Sequence, residues 1–546
     1  MGQMRRVTFV LSSLALVGLV GGGPGCGGSK SSGGGGSGGS GGSGGLTGTG
    51  GGAGTAGSGG TGGGGTGGSS MDAGADVPIV TTPLEHVTST FPARDATGVC
   101  TDAPLRLIFD TPPAIGTSGT IRVYQASNPT MPVDMIDIGA PLTTILIAGR
   151  SYFYRRIVVS GNEAYIYLRK VLQPGGTYFV NIDPGVLTAG PAGAAIGATE
   201  DSTSWRFTVR GAAPVAGASV VSVAADGSGD FCTVQGAIDY IPAANTTPVT
   251  VNVAAGSYRE IVAIASKNNI TIHGADRDAS VITYANNGAL QIPPGGTTSL
   301  GTKWRAMFGI DTSNDIVIEN ITLWNPSPQL STNGQSETLR SEGGNRIIVR
   351  NATIRGLQDT LLFSGQVYVA DSLIEGNVDY IWGNGVVYFD RCEIKDVNRK
   401  GYNVQARNGS ASLGYVFVDC ALTADAAITG HFLARTDKNN SMPASQVAYI
   451  NCKLGPHIDP VGWLIDGYPR ATIDAGVPDG GTTWNLSMLR FSEYKSVDLS
   501  GAPIDVSMRI PESKQLTDAE AAQLRDVTYV FGGWNPKAAP GDAGTD

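Results

Sequence analysis

The chain has 546 residues, 80 of them glycine, with 37 Lys and Arg against 46 Asp and Glu, a net charge of −9 and a pI near 5.1. That balance argues against a nucleic-acid partner, because neutralising phosphates takes a Lys/Arg surplus. A hydrophobic content of 41% excludes a wholly disordered chain, and four histidines leave little room for a His-rich metal site. Length alone suggests three to four domains of roughly 150 residues, but glycine is unevenly placed: 26 of the 44 residues from 27 to 70 are Gly.

Residues 1–26 read as an export signal. Arg5 and Arg6 form its positive end, and Val7 to Val20 is an apolar run too short for a comfortable membrane span. Gly23-Pro24-Gly25-Cys26 resembles a bacterial lipoprotein cleavage site, with Gly23 where Leu is usual. Two outcomes are open: lipidation at Cys26 or ordinary signal cleavage. Either implies export, to an outer membrane or cell surface as a lipoprotein, or into the medium. Residues 27–77 are a Gly/Ser-rich linker that cannot bury apolar surface, with an r.m.s. reach of about 40 Å. It contains Gly35-Gly36-Ser37-Gly38-Gly39, a G-x-S-x-G match without the strand and helix that motif requires.

Residues 78–212 carry short strand-like runs between turn signals: Leu105–Phe109, Thr120–Tyr124, Ala164–Leu168 and Tyr178–Ile182. The stretch "FPARDATGVCTDAPLRLIF", with "LQPGGTYFVNI" and "WRFTV" later, resembles a bacterial Ig-like domain. The resemblance implies a β-sandwich acting as a spacer or stabiliser, or touching carbohydrate directly.

From about residue 218 a short pattern recurs: alternating apolar residues, a polar residue, then a small one. The polar residues are Asn320, Asn351, Asp371, Arg391, Asp419 and Asn451, at steps of 31, 20, 20, 28 and 32. Repeats of this length with period-2 alternation predict an all-β solenoid, a parallel β-helix. Each polar residue is followed in turn by Ile321, Ala352, Ser372, Cys392, Cys420 and Cys452. The three cysteines therefore read as buried thiols in one inward column. Cys100 and Cys232 either stay free or, in an oxidising compartment, pair across the two folded parts.

The repeat also aligns two acids. Asp359 lies eight residues after Asn351, and Asp379 eight after Asp371. Stacked coils place such residues about 4.8 Å apart. Two carboxylates so close cannot both ionise cheaply, which suits one protonated acid beside one charged nucleophile; spacing alone also allows a solvated pair of turn aspartates. Gln358 and Gln335 offer amides for an oxyanion, and Arg435 is available to hold a carboxylate ionised.

Further segments resemble the pectinesterase (pectin methylesterase) family: "DGSGDFCTVQGAIDYIP" at 226–242, "AGSYRE" at 255–260, "GQSETLR" at 334–340, "GLQDTL" at 356–361, "GNVDYIWGNG" at 376–385, "FLARTD" at 432–437, "DPVGWL" at 459–464, "RFSEY" at 490–494 and the "LTDAEAAQL…FGGWNP" stretch at 516–536. They occur in family order over about 218–536, leaving 537–546 as a flexible tail. The resemblance implies a right-handed parallel β-helix, with Asp379 as nucleophile and Asp359 as general acid, then base. It further implies Gln358 and Gln335 at the oxyanion, Arg435 paired with Asp379, and neither metal nor cofactor. The expected substrate is pectin or a related polysaccharide, and the expected state a monomer, membrane-attached if Cys26 is lipidated.

The sequence departs from the family where Thr436-Asp437 follow Arg435 in place of Pro-Trp, and where Leu362 replaces an aromatic residue. Trp382, Val378 and Trp463 are the expected substrate-binding residues. Two other readings stay open: an ester or thioester hydrolase with a non-pectin substrate, and a non-catalytic polysaccharide-binding or adhesin-like protein.

Overall fold

The computed structural model describes residues 84–538, apart from 141, 191–192, 194, 197–198, 200, 213, 438–443 and 467–485. The signal with Cys26, the linker and the tail beyond 538 lie outside the described residues.

Alternation builds the first part. In Leu105–Phe109 the residues Leu105, Leu107 and Phe109 are buried, while Arg106 and Ile108 are not. This strand joins Val87–Phe91, Glu163–Ile166 and Ile157–Ser160 in a four-stranded sheet. A five-stranded sheet runs Ala96–Val99, Arg206–Val209, Thr177–Ile182, Thr120–Gln125 and Asn128–Asp137. Ile121, Val123, Val180, Trp205 and Phe207 complete a common core, as a sandwich requires.

The second part is a parallel β-helix whose described residues form sheets of 11, 9 and 8 strands. One coil shows the plan: Ile347–Arg350, Thr353–Arg355 and Leu361–Phe363 each enter a different sheet. The periodic polar residues are its corners. Asn320, Asn351, Asp371, Arg391, Asp419 and Asn451 all have φ between 47° and 54°. Asn and Asp tolerate this left-handed region better than other non-glycine residues, which explains the recurring polar position. Each apparent run is thus two strands with a bend between them, Ile316–Glu319 and Thr322–Trp324 for instance. The next residue turns inward, and Cys392, Cys420 and Cys452 are free and buried in one core.

Helices cover the first coils and one outer face. The helix Val234–Tyr240, capped by the Thr233 hydroxyl, closes the first coils. The helices Asp518–Arg525 and Val527–Val530 lay Ala521, Leu524, Val527 and Val530 over Tyr388, Val416 and Ala448 on the outer face of the largest sheet.

Sandwich and solenoid are joined covalently by a Cys100–Cys232 disulfide. Asp102 accepts from the backbone N–H groups of Cys232 and Thr233 at 3.1 and 2.9 Å. The hairpin Thr143–Ile147/Arg150–Tyr154 reaches the same solenoid: Arg150 pairs with Asp311 at 2.5 Å, and the Tyr152 hydroxyl donates to the Lys303 carbonyl at 3.0 Å.

Cys100 and Cys232 are 132 residues apart in sequence. Replacing both by Ala should lower unfolding stability by about 2–4 kcal/mol, because the crosslink restricts the unfolded chain. Urea unfolding of the two proteins checks this, and peptide mapping without reductant should recover one Cys100–Cys232 crosslink.

Candidate active site

The candidate residues cluster on the eight-stranded sheet, where Leu361–Phe363, Val378–Gly383, Tyr402–Ala406 and Phe432–Asp437 lie side by side. Leu361 pairs with Ile381, and Gln358 bridges to Val378. Two residues before that pair, Asp359 and Asp379 therefore stand in register on adjacent coils. Leu339 pairs with Leu361, which puts Glu337 in the same file one coil earlier. Both aspartates have positive φ, 66° and 48°. This backbone costs of order 1–2 kcal/mol in an L-residue, and it breaks strand alternation at the carboxylates. Gly376 is required nearby, since a Cβ there would lie 2.3 Å from Cβ of Tyr380.

Two guanidinium groups sort the three acids. Arg435 forks onto Asp379, Nε to Oδ1 at 2.7 Å and Nη2 to Oδ2 at 2.5 Å. A bidentate pair of this kind favours the ionised carboxylate. Arg305 donates three times to Glu337, at 2.6–2.9 Å, and once to Asp359, at 3.2 Å. Burial pushes the Asp359 carboxyl well above the usual carboxylate range. The negative charge of Glu337 adds to this and that of Asp379 further, against the pull of Arg305 and Arg407. The file thus holds a forked carboxylate beside one that resists ionisation.

The half-buried Gln358 precedes Asp359 on the same rim. Its carbonyl accepts from the Ser336 N–H at 3.3 Å, which brings Gln335 alongside on the preceding coil. Trp382 faces outward beneath Arg407, whose guanidinium lies 4.7 Å from the ring. Val378 lies beside Asp379 and is 9% exposed. Trp463 corrects the expectation of a cleft residue. It pairs with Ala434 in the inward-facing file, is fully buried, and stacks on Phe491 at 4.8 Å. Its neighbour Leu464, not Trp463, takes the outward phase opposite Arg435.

Four neighbours escaped the sequence reading. Glu337 carried a signal, since it lies two residues after Gln335 and in register with Asp359. Arg305 lies on the four-residue helix Thr302–Arg305, within a loop between coils, where periodicity says nothing. Arg407 follows its strand directly. Tyr402 is half-buried, with the Arg435 guanidinium 5.0 Å from its ring, and stacks on Phe432 at 6.0 Å. It is an aromatic surface next to the Arg435 guanidinium.

The family model described as Pectinesterase matches residues 220–468, and that of the bacterial Ig-like domain matches residues 80–209. Pectinesterase 31 of Arabidopsis thaliana is 30% identical over 318 residues, which span 57% of this chain and 92% of the relative. Pectinesterase 2 of Olea europaea is 31% identical over 315 residues, spanning 56% and 77%. Among solved structures, pectin methylesterase PemA from Erwinia chrysanthemi is similar at 25% identity and a TM-score of 0.49, over 59% of this chain and 98% of that one.

Arg435 and Asp379 have side chains only 17% and 7% exposed. Arg435→Met leaves the Asp379 charge buried without its fork and should cost about 3–5 kcal/mol of stability. The double variant Arg435→Met/Asp379→Leu should recover most of the loss. Urea unfolding of both variants gives the measurement.

Proposed function

The chain belongs to the pectinesterase family and is a carboxylic ester hydrolase, and we propose that it removes methyl groups from pectin with Asp379 as nucleophile and Asp359 as proton carrier. The observation that carries this reading is the unequal pair itself: one buried carboxylate forked by Arg435, the next resisting ionisation on the adjacent coil.

An Asp379 oxygen attacks the carbonyl carbon of the methyl galacturonate, and the carbonyl π electrons move to oxygen. The amides of Gln358 and Gln335 donate to that oxyanion. As the intermediate collapses, the bond to the methoxy oxygen breaks and Asp359 gives it a proton, releasing methanol. The product on the enzyme is a mixed anhydride of Asp379 and galacturonate. Asp359, now a carboxylate, takes a proton from water as the water oxygen attacks the anhydride. The anhydride C–O bond breaks, Asp379 leaves as a carboxylate under Arg435, and Asp359 is protonated again. The net change is ester plus water to acid plus methanol, with every proton carried by side chains. Trp382, with Tyr402 stacked on Phe432, supplies flat apolar surface for sugar rings, and Val378 lines the cleft beside the nucleophile.

Export follows from the signal-like segment, and the Cys100–Cys232 disulfide suits an oxidising compartment. We assign Cys26 as a lipid attachment site, with residues 27–77 as the tether that carries a monomeric enzyme away from the membrane.

Residues 78–546 should release methanol from methylated pectin whether or not a chelator is present. The rate should follow a bell-shaped pH curve, since one carboxyl must be ionised and the other protonated. Asp379→Ala should lower kcat by at least about 10³-fold and Asp359→Asn by about 10²–10⁴-fold. No methanol from the parent protein, with hydrolysis of another ester or a thioester, would overturn the pectin assignment and leave the chemistry standing. In the host cell, Cys26→Ser should move the full chain from the membrane pellet to the soluble fraction; a variant that still pellets would refute the anchor.

A further inference from the structure

The cation balance around the general acid is set by a residue outside the mechanism above. Glu337 is 0% exposed and holds the Arg305 guanidinium through three contacts. The groups facing Asp359 come from every side: Glu337 and Arg305 from the preceding coil and its loop, Asp379 and Arg407 from the following coils. Arg435 is committed to Asp379. Arg407 donates to Gln405 at 3.1 Å and lies over Trp382. Arg305 is therefore the guanidinium in hydrogen-bond contact with Asp359, and its nearer contacts all go to Glu337.

We propose that Glu337 is a positioning residue of the hydrolysis: by gripping Arg305 it denies Asp359 a cation of its own, so that Asp359 remains the proton donor. This rests on the reading of Asp359 as general acid. The logic is charge counting in a confined space. Three carboxylates stand in one file and two carry forked guanidinium partners, so the proton settles on the third. Without the charge on Glu337, Arg305 is released to ionise Asp359, and the acid is lost at a lower pH. A purely structural clamp, tying the helix Thr302–Arg305 to its coil, would leave that pH unchanged.

The test is Glu337→Gln, which keeps the shape and one acceptor for Arg305 but removes the charge. The high-pH limb of kcat/KM for methanol release reports loss of the free enzyme's acid. It should move down by about 1 pH unit, the size expected when a neighbouring charge is removed. Arg305→Gln should move it up, and the opposite signs let either variant decide if the other fails to fold. The infrared C=O band of the protonated Asp359 carboxyl, assigned by its loss in Asp359→Asn, gives a readout independent of turnover. Its titration should shift in the same directions. A limb and a band unmoved in Glu337→Gln, with kcat lowered equally at every pH, would overturn the proposal. If the parent protein releases no methanol, the pectin reading fails, and the infrared titration alone still confirms or refutes the grip of Glu337.

Discussion

In-register stacking of parallel coils is the constraint on which this molecule depends. A solenoid of this kind satisfies its backbone by pairing each strand with the same strand one coil on, so equivalent side chains lie about 4.8 Å apart. For apolar residues the result is a continuous core, with Leu339, Leu361, Ile381, Val404 and Ala434 in one buried file. For carboxylates it forces like charges together. Glu337, Asp359 and Asp379 are held side by side by the same ladder, so the crowding of acids follows from the fold and needs no special loop to bring them together.

The acids are tolerated because partners arrive from outside the file. Arg435 comes from two coils beyond Asp379, in the outward phase that also carries Trp382 and Gln405. Arg305 comes from an inserted loop. Each guanidinium neutralises one carboxylate, and the positive φ at Asp359 and Asp379 turns their side chains out of the apolar phase. Tyr380, next in line, points inward and donates to the buried Asp396 at 2.6 Å, which anchors the backbone beside Asp379 from beneath.

The parts legible in the sequence are those the repeat encodes. The corner residues, the thiol column and the alignment of Asp359 with Asp379 are all consequences of one period, and one chain suffices to read them. Trp463 shows where that reading fails. Its motif placed it near the site, but motif proximity carries no phase, and a shift of one residue along a strand exchanges cleft for core. Arg305 shows a second failure. It lies in a loop between coils, so nothing periodic ties it to residues 32 and 54 positions away. The Cys100–Cys232 pair was a choice between two states that composition could not make. Geometry decides it, because the helix N-terminus at Thr233 docks on Asp102.

That docking bears on what the sandwich does. Two fully buried amides connect its hairpin to the loop that holds Arg305. Gln291 accepts from the Phe153 N–H at 3.1 Å, donates back to the Phe153 carbonyl at 2.9 Å, and donates to Asn286 Oδ1 at 2.9 Å. Asn286 in turn donates to the carbonyls of Trp304 and Ala306, on either side of Arg305, at 2.7 and 2.9 Å. Asn325 closes the circuit, donating to the carbonyls of Asn286 and Glu337 at 2.8 and 3.2 Å. Unpaired buried amides are costly, so each link holds the next in place. A four-residue helix cannot orient a guanidinium on its own; here its carbonyls are tied to a second folded part through side chains with no exposure to water. The sandwich is therefore continuous with the support of the acid site.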